Sequence, residues 1–188
     1  MTPTNGRFTP MQRALHWLMA ICILAMLFIG VGMVSTIRPD YLSLVSIHKP
    51  LGIVILVLAL IRLAVRLTRG APPLPSSMPE PMKLAAHLSH IAFYLLMIGL
   101  PLIGWGMLSA ADYPVVVAGI HLPPILPHSN LLHSLLWNAH RALALCFFAL
   151  ILLHLAAALL HALVRRDGVF EAMAPWRSAR ERRAPGDR

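Results

Sequence analysis

Acidic residues are what this chain has least of. Seven Asp and Glu stand against sixteen Lys and Arg in 188 residues, for a formal net charge of +9. None of the seven falls inside the four long apolar runs. A histidine-lined path for metal ions would want intramembrane carboxylates, so this absence argues against a metal transporter. Charge of either sign is scarce: 12% of residues are charged and 58% hydrophobic, with mean hydropathy +0.72. That composition excludes an ordinary soluble domain. Cysteine is nearly absent. Cys22 and Cys146 both lie in apolar runs and are read as reduced packing residues, and neither belongs to a C-x-x-C-H motif, which excludes covalent haem attachment. No secretory leader is evident. Residues 2–13 are polar, and the first apolar run is too long and lacks a small-residue cleavage site, so it is expected to stay as a helix.

What is present is length of apolar sequence. Runs of about eighteen or more apolar residues predict membrane-spanning helices over about 15–36, 44–67, 84–108 and 138–164. The fold class is therefore all-α, an integral membrane four-helix bundle. Residues 1–14 form an N-terminal segment, 15–166 the transmembrane domain and 167–188 a basic tail. Gly70–Pro81 is a proline-rich linker, and 110–137 is a long connection able to lie in the interface, with a helical start over Leu131–Trp137. Pro50 is expected in the first turn of helix two, and Pro101 is expected to kink helix three. Gly30, Gly32 and Gly52 offer close approach to a neighbouring helix or a flat ligand.

The basic residues decide orientation. Thirteen of the sixteen flank one end of the bundle, and only Arg38, Lys49 and Arg141 flank the other. The positive-inside rule puts both termini in the cytoplasm. Topology thus explains the charge, and nucleic acid is not expected as a partner.

Ten histidines in so apolar a chain are the unusual count. His140 and His154 lie fourteen residues apart in the fourth run. That separation is roughly 21 Å along a helix, most of the way across a hydrocarbon core of about 30 Å. Fourteen steps of about 100° leave the two imidazoles within about 40° of one another, on one stripe. Topology gives the others a height: His48 lies in the outer layer with His140, and His16 in the inner layer with His154. His87, His90 and His161 also lie on the inner side and compete for that layer. His121, His128 and His133 are read as interfacial polar residues without a site.

Polar side chains at membrane depth are expensive and usually functional. Two neutral imidazoles facing each other across a bundle suit the axial positions of a b-type haem. Two such pairs predict two haem b. Their carboxylates would seek cations near the helix ends: Lys49 and Arg141 outside, Arg13 and Arg66 inside.

The chain resembles the bacterial cytochrome b561 family. The resemblance rests on R-A-L-H-W at Arg13–Trp17, I-H-K-P-L-G at Ile47–Gly52 and R-L-A-V-R-L at Arg62–Leu67. It continues through A-H-L-S-H at Ala86–His90, W-N-A-H at Trp137–His140 and L-H-L-A-A-A-L-L-H at Leu153–His161. It implies one haem iron between His16 and His154 and the other between His48 and His140. It also implies exchange of electrons with ubiquinone in a bacterial inner membrane and, for members that look like superoxide oxidases, superoxide as the external donor. A quinone pocket near the inner haem would then involve His161 and Lys83. With both axial positions filled, the chemistry is one-electron outer-sphere transfer. The other reading is a cytochrome b subunit serving a partner dehydrogenase or hydrogenase. Short loops offer little docking surface for that, and no obligatory protein partner is expected.

Overall fold

A computed structural model of the chain describes residues 6–35 and 40–175. Arg38 and Trp176 lie outside the described residues, as do the last arginines of the tail.

Four long helices carry the fold: α1 over Pro10–Ser35, α2 over Asp40–Arg69, α3 over Glu80–Ser109 and α4 over Asn130–Leu159. All four are long and apolar enough to cross a membrane. Their outward faces confirm the inversion expected in lipid, since Phe28, Leu67 and Leu145 are among many large apolar side chains left uncovered. The small internal core takes Met19 from α1, Ala59 from α2, Met97 and Leu100 from α3 and Phe147 from α4.

Local chemistry sets the helix ends beyond the apolar runs. Thr9 and Gln12 make a reciprocal cap at the start of α1: Gln12 N–H donates to Thr9 Oγ1 at 3.3 Å, and Thr9 N–H donates to Gln12 Oε1 at 3.0 Å. Pro10 occupies the first helical position, so α1 begins five residues before the apolar stretch predicted from 15. On α4 the Ser129 hydroxyl accepts from Leu132 N–H, and the helix runs unbroken from Asn130 through the expected connection. One proline expectation changes: Pro50 sits inside α2, beyond its first turn, because that helix starts at Asp40. Pro101 lies inside α3 as expected.

Four smaller elements were not anticipated. The connection between α3 and α4 holds a hairpin, β1 (Val115–Val117) paired antiparallel with β2 (Ile120–Leu122). Its two-residue turn, Ala118–Gly119, has φ of 49° and 81°, the left-handed pair that a tight hairpin requires. After α4 the backbone widens into a π-helical segment, Leu160–Arg165, and then α5 over Val169–Met173.

Helix pairing positions the site. α1 packs along α2, α2 along α3, and α3 along α4, whereas α4 has no extensive contact with α1 or α2 among the described residues. The described segments nearest the two termini meet at one end of the bundle. Phe8 N–H donates to the Ala172 carbonyl, Trp17 Nε1–H donates to that of Met173, and both Arg7 and Arg13 donate to that of Ala174. This is the tail end; the hairpin marks the other.

Candidate haem-binding site

Helix α4 supplies a stripe with a seven-residue spacing, His140, Phe147 and His154, and the same spacing reaches His161 in the π-helical segment that follows. Seven residues are close to two α-helical turns, so the three side chains on α4 drift by only about 20° at each step. Phe147 is buried in the core and separates an upper from a lower histidine. Its ring meets Phe93 edge-on at 5.9 Å, and Phe93 in turn lies 5.1 Å from the His154 ring. Sequence reading passed over Phe147 because an aromatic in an apolar run carries no signal of its own; the sevenfold spacing was the available clue.

At the hairpin level His48 on α2 faces His140 on α4, with ring centroids 6.2 Å apart. At the tail level His16 on α1 faces His154, with centroids 6.3 Å apart. Both pairs cross between α4 and the helices it does not pack against. A metal–imidazole bond is about 2.0 Å, so two rings bound to opposite sides of one metal have centroids roughly 6 to 6.5 Å apart. Nδ1 of His48 and Nδ1 of His140 are buried without a hydrogen-bond partner. Gly104 on α3 leaves room for the His140 ring, since a Cβ there would stand 3.3 Å from Cε1. Paired imidazoles at this separation, between helices held apart, fit a bis-histidine haem at each level.

His90 also approaches His154, at 6.3 Å. Three features set it apart. It is exposed, its Nδ1 is engaged with the Ala86 carbonyl at 2.6 Å, and it belongs to α3, which packs directly on α4. His87 is exposed on the same helix. At the other end His133 bonds the Met107 carbonyl, His128 pairs with Asp112 at 2.8 Å, and His121 lies exposed on β2.

The cations are more committed than the sequence suggested. Arg13 donates to the Ala174 carbonyl, and Arg66 donates to that of Gly70 while stacking over the Phe8 ring at 5.6 Å. Lys49 reaches the Pro114 carbonyl at 3.4 Å, and Arg141 is exposed beside His140. Lys83 pairs with Glu80 at 2.8 Å and makes no hydrogen bond to His161 among the described residues. Arg62 has no site role in the sequence reading. It lines a small cleft at the tail end with Phe8, Gln12, Arg66, Tyr94 and Met173, and its Nη1 is buried without a hydrogen-bond partner.

His161 is buried, and its Nδ1 lies 2.8 and 2.9 Å from the two carboxylate oxygens of Asp167. Arg165 Nε donates to the same carboxylate at 3.0 Å.

The sequence matches known proteins over most of its length. A family described as prokaryotic cytochrome b561 matches residues 7–176. The chain is 30% identical over 176 residues to a protein named cytochrome b561 homolog 2 from Escherichia coli (strain K12), covering 92% of this chain and 93% of the relative. It is 31% identical over 174 residues to a protein named probable superoxide oxidase CybB from Yersinia pestis, covering 91% and 97%.

Proposed function

The chain belongs to the prokaryotic cytochrome b561 family, and from that premise we propose that it is a di-haem membrane protein passing single electrons between an external donor and the quinone pool. In its most specific form the reaction oxidises two superoxide ions to dioxygen and reduces one ubiquinone, with two protons, to ubiquinol. The observation that carries this reading is the pair of facing imidazoles at two levels of one bundle, 6.2 and 6.3 Å apart.

A haem b bound at each level supplies reversible one-electron transfer. The protein's own part is to hold and insulate. His48 and His140 would hold the outer group, and His16 and His154 the inner one. Phe147 and Phe93 fill the space between the levels with apolar rings, which keeps water from the path. With two imidazoles facing each other at each level, a haem held there would have no free place to bind dioxygen or peroxide directly. The relative named as a probable superoxide oxidase supports superoxide as donor, and Lys49 and Arg141 beside the outer histidines give that end cations for an anionic substrate. Quinone is assigned to the tail end, beside His161. The positive-inside rule makes that end cytoplasmic.

Purified protein in proteoliposomes tests the reading. Two haems per chain by reduced spectrum, with ubiquinone reduced when superoxide is generated outside, are the expected results. One haem per chain removes the two-level assignment. A preparation reduced only through a co-purifying dehydrogenase favours the cytochrome-subunit reading instead.

A further inference from the structure

The turn that follows α4 places a carboxylate where a regular helix could not. In an α-helix, residues six apart point about 120° away from each other, so His161 and Asp167 would not meet. Here the His161 carbonyl accepts from Arg166 N–H, five residues on, at 2.8 Å, which is the hydrogen bond of a π turn. Arg166 then takes the left-handed conformation at φ 49°, and the chain doubles back. The consequence is that Asp167 lies against the imidazole with both oxygens within 2.9 Å of Nδ1.

We propose that Asp167 is a positioning residue that fixes His161 as proton donor to the quinone at the tail end of the bundle. This rests on the quinone reading above and deepens it. A carboxylate on Nδ1 holds the proton there and leaves Nε2 as the ring atom that exchanges a proton with a substrate, the division of labour seen wherever a carboxylate orients a catalytic histidine. In the step itself the quinone oxygen gains the proton of Nε2 as the ring gains electrons, each electron having left a superoxide as dioxygen. The imidazole left behind is neutral, keeps its Nδ1–H on Asp167 and is reloaded from water at the tail face. Two such deliveries complete the quinol.

The surroundings suit the role. Both partners are largely covered, with side chains 9% and 12% exposed, so the pair is not an ordinary surface contact. Burial by itself raises the Asp167 carboxyl. Hydrogen bonds from His161, Arg165 and Val169 N–H outweigh it and hold the group below the usual carboxylate range. The other charged groups on the elements packed around this turn are Arg166 at its end and Glu171 on α5, with Arg7 and Arg13 reaching Ala174 beyond.

The test uses the haem-loaded protein and a short-chain ubiquinone as probe. Asp167→Asn keeps the shape and an acceptor for Nδ1–H but removes the charge. Its haem content, and its reduction by superoxide in the absence of quinone, are expected to match wild type. Quinone reduction is expected to fall about tenfold, part of the roughly hundredfold or more that a positioned general acid contributes. The alkaline fall-off of that rate should move to lower pH, a change that a merely structural contact would not produce. Asp167→Glu should recover part of the rate. Wild-type rate and profile in Asp167→Asn, or loss of haem in that variant, overturns the proposal. A wild-type protein whose haems are reduced by superoxide but which never reduces quinone overturns the quinone reading itself, a distinct outcome.

Discussion

Gly104 on α3 lies against His140 on α4, so close that a Cβ added at the glycine would stand 3.3 Å from the imidazole Cε1 and 3.5 Å from Nδ1. Such a Cβ would be tighter against Cε1 than ordinary van der Waals packing, so only a glycine at this position leaves the ring its present place. Gly104→Ala therefore asks the ring to move by a few tenths of an ångström, whereas Gly104→Leu fills the space the ring occupies. The alanine variant is expected to keep two haems with a shifted outer spectrum. The leucine variant is expected to retain only the inner one. Haem-to-protein ratio and low-temperature spectra separate the outcomes, and two unperturbed haems in Gly104→Leu would show that the glycine has no such role.

The inner level poses a choice between His16 and His90, which lie equally far from His154. Helix packing favours His16. α3 and α4 are in direct contact, so a broad planar group cannot pass between His90 and His154, whereas α1 and α4 stand apart. His16→Ala should give a protein with one haem, and His90→Ala one with two. The reverse result would reassign the inner ligand to α3.

The fold and the two imidazole pairs were legible in the sequence for one reason: membrane helices announce themselves by length, and histidines inside them are rare enough to be sorted by depth. Helix ends were less legible. Thr9 and Gln12 form a cap lying outside the apolar run, although the helical start expected over Leu131–Trp137 falls one residue from the observed Asn130. The hairpin left a signal in V-V-V-A-G-I-H-L, β-branched residues about an Ala-Gly turn, but apolar sequence next to a membrane reads as interfacial before it reads as strand. The Asp167 contact left none. It depends on a π turn and a left-handed Arg166, and no helical periodicity places residues six apart side by side.

That contact has a stability signature of defined sign. A carboxyl held below its unfolded value of 3.8 stabilises the fold fully above that pH, and the contribution disappears as pH falls through the lower folded value. Wild type should therefore outlast Asp167→Asn on heating at neutral pH, and the difference should shrink only below about pH 4. The loss of the native haem spectrum during thermal ramps at several pH values reads this directly. A gap that persists unchanged at pH 3 would mean the substitution acts through shape.

Each outer histidine is followed by a cation, His48 by Lys49 and His140 by Arg141. Lys49 leans on the hairpin through the Pro114 carbonyl, while Arg141 is exposed. Exposed cations beside an electron entry point raise the local concentration of an anionic donor, and salt screens that attraction over a Debye length of about 10 Å at 0.1 M. If superoxide enters here, the second-order rate of haem reduction should fall as ionic strength rises, and Arg141→Ala should lower the rate at low salt and flatten its salt dependence. Because Lys49 is tethered, Lys49→Ala should change the salt slope less than Arg141→Ala does. Stopped-flow reduction at several salt concentrations distinguishes these slopes. A rate indifferent to salt in wild type would remove electrostatic steering and leave the outer cations to the haem carboxylates.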